Sequence, residues 1–374
     1  MHTQSQSMIE SVDGSKLVVE ACCQSGGDVF IGYPITPSNL IYKYSLERFP
    51  KALAAPDEIS TVQWMAGFSA TGKFPVTATS FPGLALMTEG INMAFMMELP
   101  MLIILTQRLG PSTGSATTGA QGDLLFLRGM ISGGFVIPVL CPSDYEDLWY
   151  LTNKAIELAV GLRCPVILLT SKEMVMTTRS FDLSRLDSLK RIVWKTFESN
   201  EVYQPYSTNG SLVPDFLPLG DEKHIVRLNA STHDESGLIK RVNQDTMRNS
   251  HRLRDKVLTG TRSHVYYHHD EDVDSSSLIV AYGVSSYAAR EAVRKIRSEG
   301  EKVSLVIPKT MLPVHEIIVN IINSYQKVFI VEENLSGLYS ELIYGSNSPE
   351  YVYGIRSMGR MITPEEIQRR VMSC

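Results

Sequence analysis

The feature that most constrains this chain is a series of short strand-like runs, most of them apolar, separated by stretches of helical period. The runs lie at 29–32, 76–80, 100–106, 135–139 and 165–170. A strand that is apolar on successive residues is buried on both faces, and that happens in parallel sheets with helices packed above and below. The stretches between them have helix signals. Residues 14–26 end in Gly26-Gly27, where a glycine takes the left-handed C-cap conformation at little cost. Ser38 or Asn39 can cap a helix that has Leu40, Ile41, Tyr44 and Leu46. Residues 58–70 form a helix with small residues on its later turns, Pro82-Gly83 breaks the strand before it, and 84–97 is a Met-rich helix. Pro142-Ser143-Asp144 caps a helix over 145–161.

A second block of the same kind begins at Ser277. It reads as strand 278–283, helix 285–299, strand 302–307, helix 316–324 and strand 327–331, followed by Glu332-Glu333-Asn334. Between the blocks the composition turns polar, with Pro, Asn and His and no clean period. Residues 200–218 are loop-like, and 233–254 are charged and partly helical. The expected organisation is an α/β, doubly wound parallel-sheet domain over 1–180, a connecting segment over 181–275 laid on the surface of both domains, and a second α/β domain over 276–374. No short-period repeat or low-complexity tract is present.

Bulk properties narrow the function. The 374 residues suit about two to three domains. A net charge of −5 leaves no basic surplus for phosphates, so nucleic acid is not an expected partner. Cys22, Cys23, Cys141, Cys164 and Cys374 are scattered and form no Cys-x-x-Cys pair. They suit neither a disulfide framework nor a zinc or iron–sulfur site, and no metal ligands are assigned to the chain. That usage fits a reducing, cytoplasmic setting. Residues 1–10 lack a signal pattern, and no apolar run approaches the ~18 residues of a membrane span. Cys22 and Cys23 read as packed small hydrophobes, and His268-His269 beside Asp270-Glu271 as a solvated polar turn. The methionines of 87–97 read as core or subunit interface.

Ligands of open parallel sheets bind beyond the carboxyl ends of the strands. Three loops fall there: 32–38, 80–83 and 107–118. They are rich in Ser and Thr and hold one arginine, Arg108, whose planar guanidinium suits a carboxylate. Taken singly, these residues have plainer readings. Thr36 is a turn residue between prolines, Arg108 a surface ion pair, Glu58 an acid favoured by a helix N-terminus, and 111–118 a flexible loop.

Taken together, the motifs resemble the α subunit of the 2-oxoacid:ferredoxin oxidoreductases over nearly the whole chain. Gly32-Tyr33-Pro34-Ile35-Thr36-Pro37-Ser38 is similar to that family's signature loop. Asp57-Glu58-Ile59, Thr77-Ala78-Thr79-Ser80 with Pro82-Gly83, and Gln107-Arg108-Leu109-Gly110-Pro111-Ser112-Thr113-Gly114 with Gln121-Gly122-Asp123-Leu124-Leu125 follow in the family's order. His233-Asp234-Glu235-Ser236-Gly237 resembles a segment of its linker. The resemblance implies a thiamine-diphosphate-binding fold of the pyrimidine-binding type, followed by a transketolase C-terminal-like domain. It implies oxidative decarboxylation of a 2-oxoacid, with 2-oxoglutarate the best guess, to the acyl-CoA, with electrons passed to ferredoxin. A branched-chain 2-oxoacid, pyruvate, or a non-catalytic structural subunit are the alternatives.

By the same resemblance Glu58 is the catalytic acid, hydrogen-bonded to the cofactor's pyrimidine ring. Tyr33, Pro34, Ile35 and Thr36 form the wall beside the cofactor, and Thr36, Arg108, Ser112 and Thr113 meet the substrate. The diphosphate half-site normally carries a Gly-Asp-Gly motif; Gly122-Asp123-Leu124 is the nearest match and lacks the second glycine. Magnesium and diphosphate contacts are therefore expected from a β subunit. Iron–sulfur clusters belong to further chains, with γ and ferredoxin-like δ subunits, and coenzyme A is the co-substrate. Leu109 stands where 2-oxoglutarate-type members usually have glycine, Ser115-Ala116 replaces Leu-Pro, and Phe81 interrupts a Ser-Gly-Pro-Gly turn. Each alters bulk or flexibility near the substrate loop and leaves the choice of 2-oxoacid open.

Overall fold

A computed structural model describes residues 8–374 except Asn209; the leaderless reading of residues 1–7 lies outside the described residues. The first part runs β1 (Ile9–Asp13), α1 (Gly14–Ser25), β2 (Val29–Gly32), α2 (Asn39–Arg48), β3 (Lys51–Ala54), α3 (Glu58–Ala70), β4 (Pro75–Thr79), α4 (Phe81–Met96), β5 (Met101–Gln107), α5 (Leu124–Gly129), β6 (Val139–Leu140), α6 (Tyr145–Leu162), β7 (Pro165–Ser171), α7 (Lys172–Met176) and β8 (Thr178–Asp182). The remainder is α8 (Gln244–Gly260), β9 (Tyr267–Asp270), β10 (Ser277–Ala281), α9 (Ser285–Ser298), β11 (Ser304–Pro308), β12 (Thr310–Leu312), α10 (Glu316–Asn323), β13 (Lys327–Glu332), α11 (Leu338–Tyr344), β14 (Val352–Arg356) and α12 (Pro364–Met372).

The large sheet has the order β12-β6-β7-β5-β4-β2-β3. Every pair in it is parallel except β12 with β6. Its central strands β5 and β7 are buried at all seven positions, as their unbroken apolar runs require. The second sheet, β14-β13-β10-β11-β9, is parallel apart from its β9 edge. Helix α1 begins at the Asp13 cap, which accepts from Lys16 N at 3.0 Å, and stops at Gly26 with φ of 112°. Helices α3 and α4 meet closely at Gly90, where a Cβ would lie 2.3 Å from Val62 Cγ1.

Several elements differ from expectation. The expected strand over 135–139 shrinks to two residues, because Pro138 cannot donate to the ladder and serves only as acceptor for Ile167 N. Pro82-Gly83 does not break the chain; both lie in the first turn of α4, where a proline costs no hydrogen bond. Ser38 occupies the cap position of α2 without capping it. His268 and His269 sit in edge strand β9, partly buried and paired with β11, instead of in a solvated turn. Strand β12 leaves the second block to extend the large sheet, a pairing set by tertiary contact alone. Strands β1 and β8 form a separate antiparallel ribbon.

The polar segment after β8 is held down by a buried charge cluster. Glu98, at 0% exposure, accepts from Lys256 Nζ at 2.7 Å and pairs with Arg252, both on α8. Arg163, also buried, donates to the carbonyls of Pro205, Pro214 and Asp215 at 3.3, 3.3 and 3.0 Å. Burial alone would raise the Glu98 pKa, but Lys256 and Arg252 override it and hold the carboxyl down at about 2.

Candidate active site

The carboxyl ends of β2, β4 and β5 come together on one edge of the large sheet. Ser38 Oγ, just past β2, lies 2.9 Å from the Thr79 carbonyl oxygen and 3.0 Å from Thr106 Oγ1, and Thr170 Oγ1 of β7 donates to Thr106 Oγ1 at 3.3 Å. This hydroxyl chain explains why Ser38 does not cap α2: its side chain turns inward to bind the neighbouring strands. It also fixes the end of the loop that holds Thr36.

Arg108 follows β5, is 6% exposed, and donates from Nη1 to the Thr36 carbonyl at 2.5 Å. The two residues 72 positions apart are thus joined directly. Arg108 Nε is buried without a partner among the described residues, as are Ser80 Oγ and Gln107 Oε1 at the same strand ends. Burial lowers the Arg108 pKa. Unmet hydrogen-bonding capacity is costly inside a protein, and these atoms are available to a water or a bound group.

Glu58 is the first residue of α3, whose N-cap Asp57 accepts from Ser60 N at 2.6 Å. The Glu58 side chain is 6% exposed and has no side-chain hydrogen bond among the described residues. Gly83 presses against it: a Cβ there would lie 2.7 Å from Glu58 Oε1 and 2.1 Å from Thr79 Oγ1. Helix α4 therefore approaches the carboxylate as closely as backbone can. Helices α3 and α4 leave Ile59, Trp64 and Leu86 exposed at 52%, 41% and 52%.

Of the other anticipated residues, Ile35 is half-buried in the loop, and Tyr33 and Pro34 face outward. The loop 109–118 closes on itself through Leu109 N to Thr118 O at 2.8 Å and Ser115 N to Leu109 O at 3.0 Å. Ser112 and Thr113 are exposed at its tip. Ser112 lines a cleft of about 290 Å³ with Arg108, and Thr113 is not among its walls.

That cleft lies between the two sheets and brings in residues the sequence reading had not assigned to a site. Asp123 is buried with Oδ2 unpartnered, and burial pushes its carboxyl up to about 7. Glu333 accepts from Ile362 N at 3.2 Å and is likewise pushed up to about 7 by burial, with Glu173 adding to the effect. Gln121 joins the sheets: its Nε2 donates to the Tyr282 carbonyl at 2.7 Å, and its Oε1 accepts from Glu333 N at 2.9 Å. Glu333 follows the carboxyl end of β13, so the strand-end rule that singled out Arg108 applied to it as well. Among the described residues no group of three or more His, Cys, Asp or Glu side chains is placed to hold a metal ion.

The pyrimidine half of thiamine diphosphate is a test of the site. It asks for a buried carboxylate free to meet a ring nitrogen and for backbone close enough to leave a flat slot. Glu58 and the Gly83 approach supply both, so the residues fit. The architecture is a thiamine-diphosphate-binding α/β fold followed by a second, mostly parallel α/β sheet, and the fold is shared with a split-gene transketolase at a TM-score of 0.53. Residues 20–252, more than half of the chain, match the pyruvate flavodoxin/ferredoxin oxidoreductase, thiamine diphosphate-binding family, and the chain belongs to that family as an α-type subunit.

The 2-oxoglutarate synthase subunit KorA of Methanocaldococcus jannaschii is 29% identical over 97% of this chain and 99% of its own. The ketoisovalerate oxidoreductase subunit VorB of Methanothermobacter marburgensis is 27% identical over 97% of both. A solved 2-oxoglutarate:ferredoxin oxidoreductase from Magnetococcus marinus, with 2-oxoglutarate, coenzyme A and succinyl-CoA bound, matches at a TM-score of 0.89 and 26% identity. The match covers 98% of this chain, which spans only 65% of that one.

Proposed function

We propose that this chain is the α subunit of a multi-subunit enzyme that oxidatively decarboxylates a 2-oxoacid to its acyl-CoA and passes the electrons to ferredoxin. The observation that carries this reading is the convergence of a partner-free buried carboxylate, Glu58, with the joined pair Thr36 and Arg108 at neighbouring strand ends. Thiamine diphosphate, when bound, supplies the nucleophilic carbon and the electron sink for decarboxylation. Glu58 holds a proton at the pyrimidine ring nitrogen. Arg108 Nε and the Thr36 hydroxyl orient the substrate carboxylate and release it as carbon dioxide forms. The loop 33–36 is the wall that excludes water.

The exposed apolar side chains of α3 and α4 support a β subunit docking there with the diphosphate and magnesium half-site. Asp123 and Glu333 both line the inter-sheet cleft, and among the described residues no third Asp, Glu, His or Cys joins them to hold a metal ion. Iron–sulfur clusters on partner chains, γ and ferredoxin-like δ subunits, coenzyme A as co-substrate and a cytoplasmic setting complete the proposal. 2-Oxoglutarate is the first substrate to assay, because it is in the names of several relatives. A branched 2-oxoacid is the second reading, favoured by the apolar walls of the cleft beside Arg108.

The test is viologen reduction by the complex of this chain with its β partner. Turnover that requires both a 2-oxoacid and coenzyme A is expected, and Glu58→Gln should slow it by about 100-fold. A complex inert toward 2-oxoglutarate, pyruvate and branched 2-oxoacids would leave a structural role as the remaining one.

A further inference from the structure

We infer that Gln121 is a positioning residue: through it the second domain holds the loop after β5 and aims the Arg108 guanidinium at the 2-oxoacid. This rests on the role proposed for Arg108 and deepens it.

The direction of Arg108 is not set by its own contacts. Among the described residues its guanidinium makes one hydrogen bond, from Nη1 to the Thr36 carbonyl at 2.5 Å, and Nε is buried without a partner. A long side chain fastened at one point can pivot, so its aim depends on how its backbone is held. That backbone is tied to the far limb of its own loop. Leu109 N donates to the Thr118 carbonyl at 2.8 Å, and Leu109 O accepts from Ser115 N at 3.0 Å. The far limb then passes Gly119, packed so closely on α7 that a Cβ would lie 2.2 Å from Glu173 Oε2, and reaches Gln121.

Gln121 is 1% exposed, and both ends of its amide are bonded to the second domain. Nε2 donates to the Tyr282 carbonyl at 2.7 Å, and Oε1 accepts from Glu333 N at 2.9 Å and from Ser285 Oγ at 3.2 Å. The main chain adds two more bonds: Gln121 N donates to Glu333 O at 2.8 Å, and Gln121 O accepts from Asn334 Nδ2 at 3.1 Å. Tyr282 and Glu333 directly follow β10 and β13, so the limb is fastened to the strand ends of the second sheet. The residue type fits the task. Glu333 N needs an acceptor and Tyr282 O a donor, and an amide gives and takes at once, whereas a buried polar atom left alone is costly. The first domain thus provides Arg108 and Thr36, and the second holds still the loop in which Arg108 begins.

The test is steady-state viologen reduction by the intact complex with its β partner, with the 2-oxoacid as varied substrate. Gln121→Ala keeps the two main-chain bonds and loses those of the amide. It should raise KM for the 2-oxoacid about tenfold and leave kcat within about threefold. In an Arg108→Lys background the same substitution should change KM by less than about twofold, because no planar fork is left to aim. Equal effects in the two backgrounds, or an unchanged KM in Gln121→Ala, overturn the inference. Gln121→Glu keeps the shape and gives a second readout. While neutral, its carboxyl donates to Tyr282 O and accepts from Glu333 N; once ionised, it cannot donate. Its KM, divided by that of the unsubstituted complex at the same pH, should therefore climb about tenfold between about pH 6 and pH 9. Asp123 and Glu333, both pushed up to about 7 by burial, titrate in both proteins and cancel from that ratio. A flat ratio overturns the inference even where Gln121→Ala fails to assemble. Absence of turnover by the unsubstituted complex with every 2-oxoacid overturns the reading of Arg108, and the inference falls with it.

Discussion

Gly83→Ala is the sharpest probe of how the Glu58 carboxylate is held. The backbone at Gly83 has no positive φ, and alanine favours the helix it would join by about 1 kcal/mol. Its methyl group, however, would fall 2.7 Å from Glu58 Oε1, 2.8 Å from Glu58 Cγ and 2.1 Å from Thr79 Oγ1. Ordinary contact needs about 3.5 Å, so the carboxylate must retreat by roughly 1 Å or the helix start must lift by as much. Moving Glu58 does not relieve the 2.1 Å approach to Thr79, which is buried in β4, so the start of α4 must lift as well and the backbone packed against the Glu58 carboxylate shifts with it. A displacement of that size in a group aligned to a reacting centre costs on the order of 100-fold in rate. Viologen reduction by the α–β complex should therefore fall by about 100-fold, with the circular dichroism spectrum retained and cofactor affinity weakened. If Gly83→Ala kept its rate within about twofold, the close approach of α4 would not be what positions Glu58.

Glu98→Gln should destabilise the chain by about 3 kcal/mol, read in urea unfolding, because the buried Lys256 and the half-buried Arg252 lose their counter-ion. The same carboxyl has a folded pKa of about 2 against an ordinary 4.5, so its contribution is present above pH 4.5 and lost as the pH falls toward 2. The variant should therefore unfold with a shallower pH dependence between pH 4.5 and 2, and an unchanged slope would contradict the ion-pair account. Arg108→Lys keeps the charge but loses the planar fork that reaches both Thr36 and the cleft. It should raise KM for the 2-oxoacid by about tenfold or more, and steady-state kinetics would show otherwise if the arginine were only a surface charge.

How much of this was legible beforehand follows from where the determining forces act. The unbroken apolar runs at 100–106 and 165–170 required strands buried on both faces, and β5 and β7 are those strands. The capping pattern around Gly26 ended α1 where expected. Arg108, Thr36 and Glu58 were marked by type and by their position after strands or at a helix start. These are local facts of period, cap chemistry and loop composition, and the chain carries them wherever it folds.

Other features were decided only by tertiary structure. Strand β12 is three residues long and gains its pairing from β6, some 170 positions earlier, so no local pattern could announce it. Ser38 had the chemistry of a cap and instead bonds toward Thr79 and Thr106, because two neighbouring strands end within its reach. Asp123 stood out in the sequence only as part of an incomplete Gly-Asp-Gly match and Glu333 only as an acid after a strand, and burial between two sheets is what pushes them up to about 7. The sequence by itself determined the alternating architecture and the residue types of the site. The packing of the second domain against the first decided what surrounds Arg108, because the dielectric and shape of a cleft belong to neither wall alone.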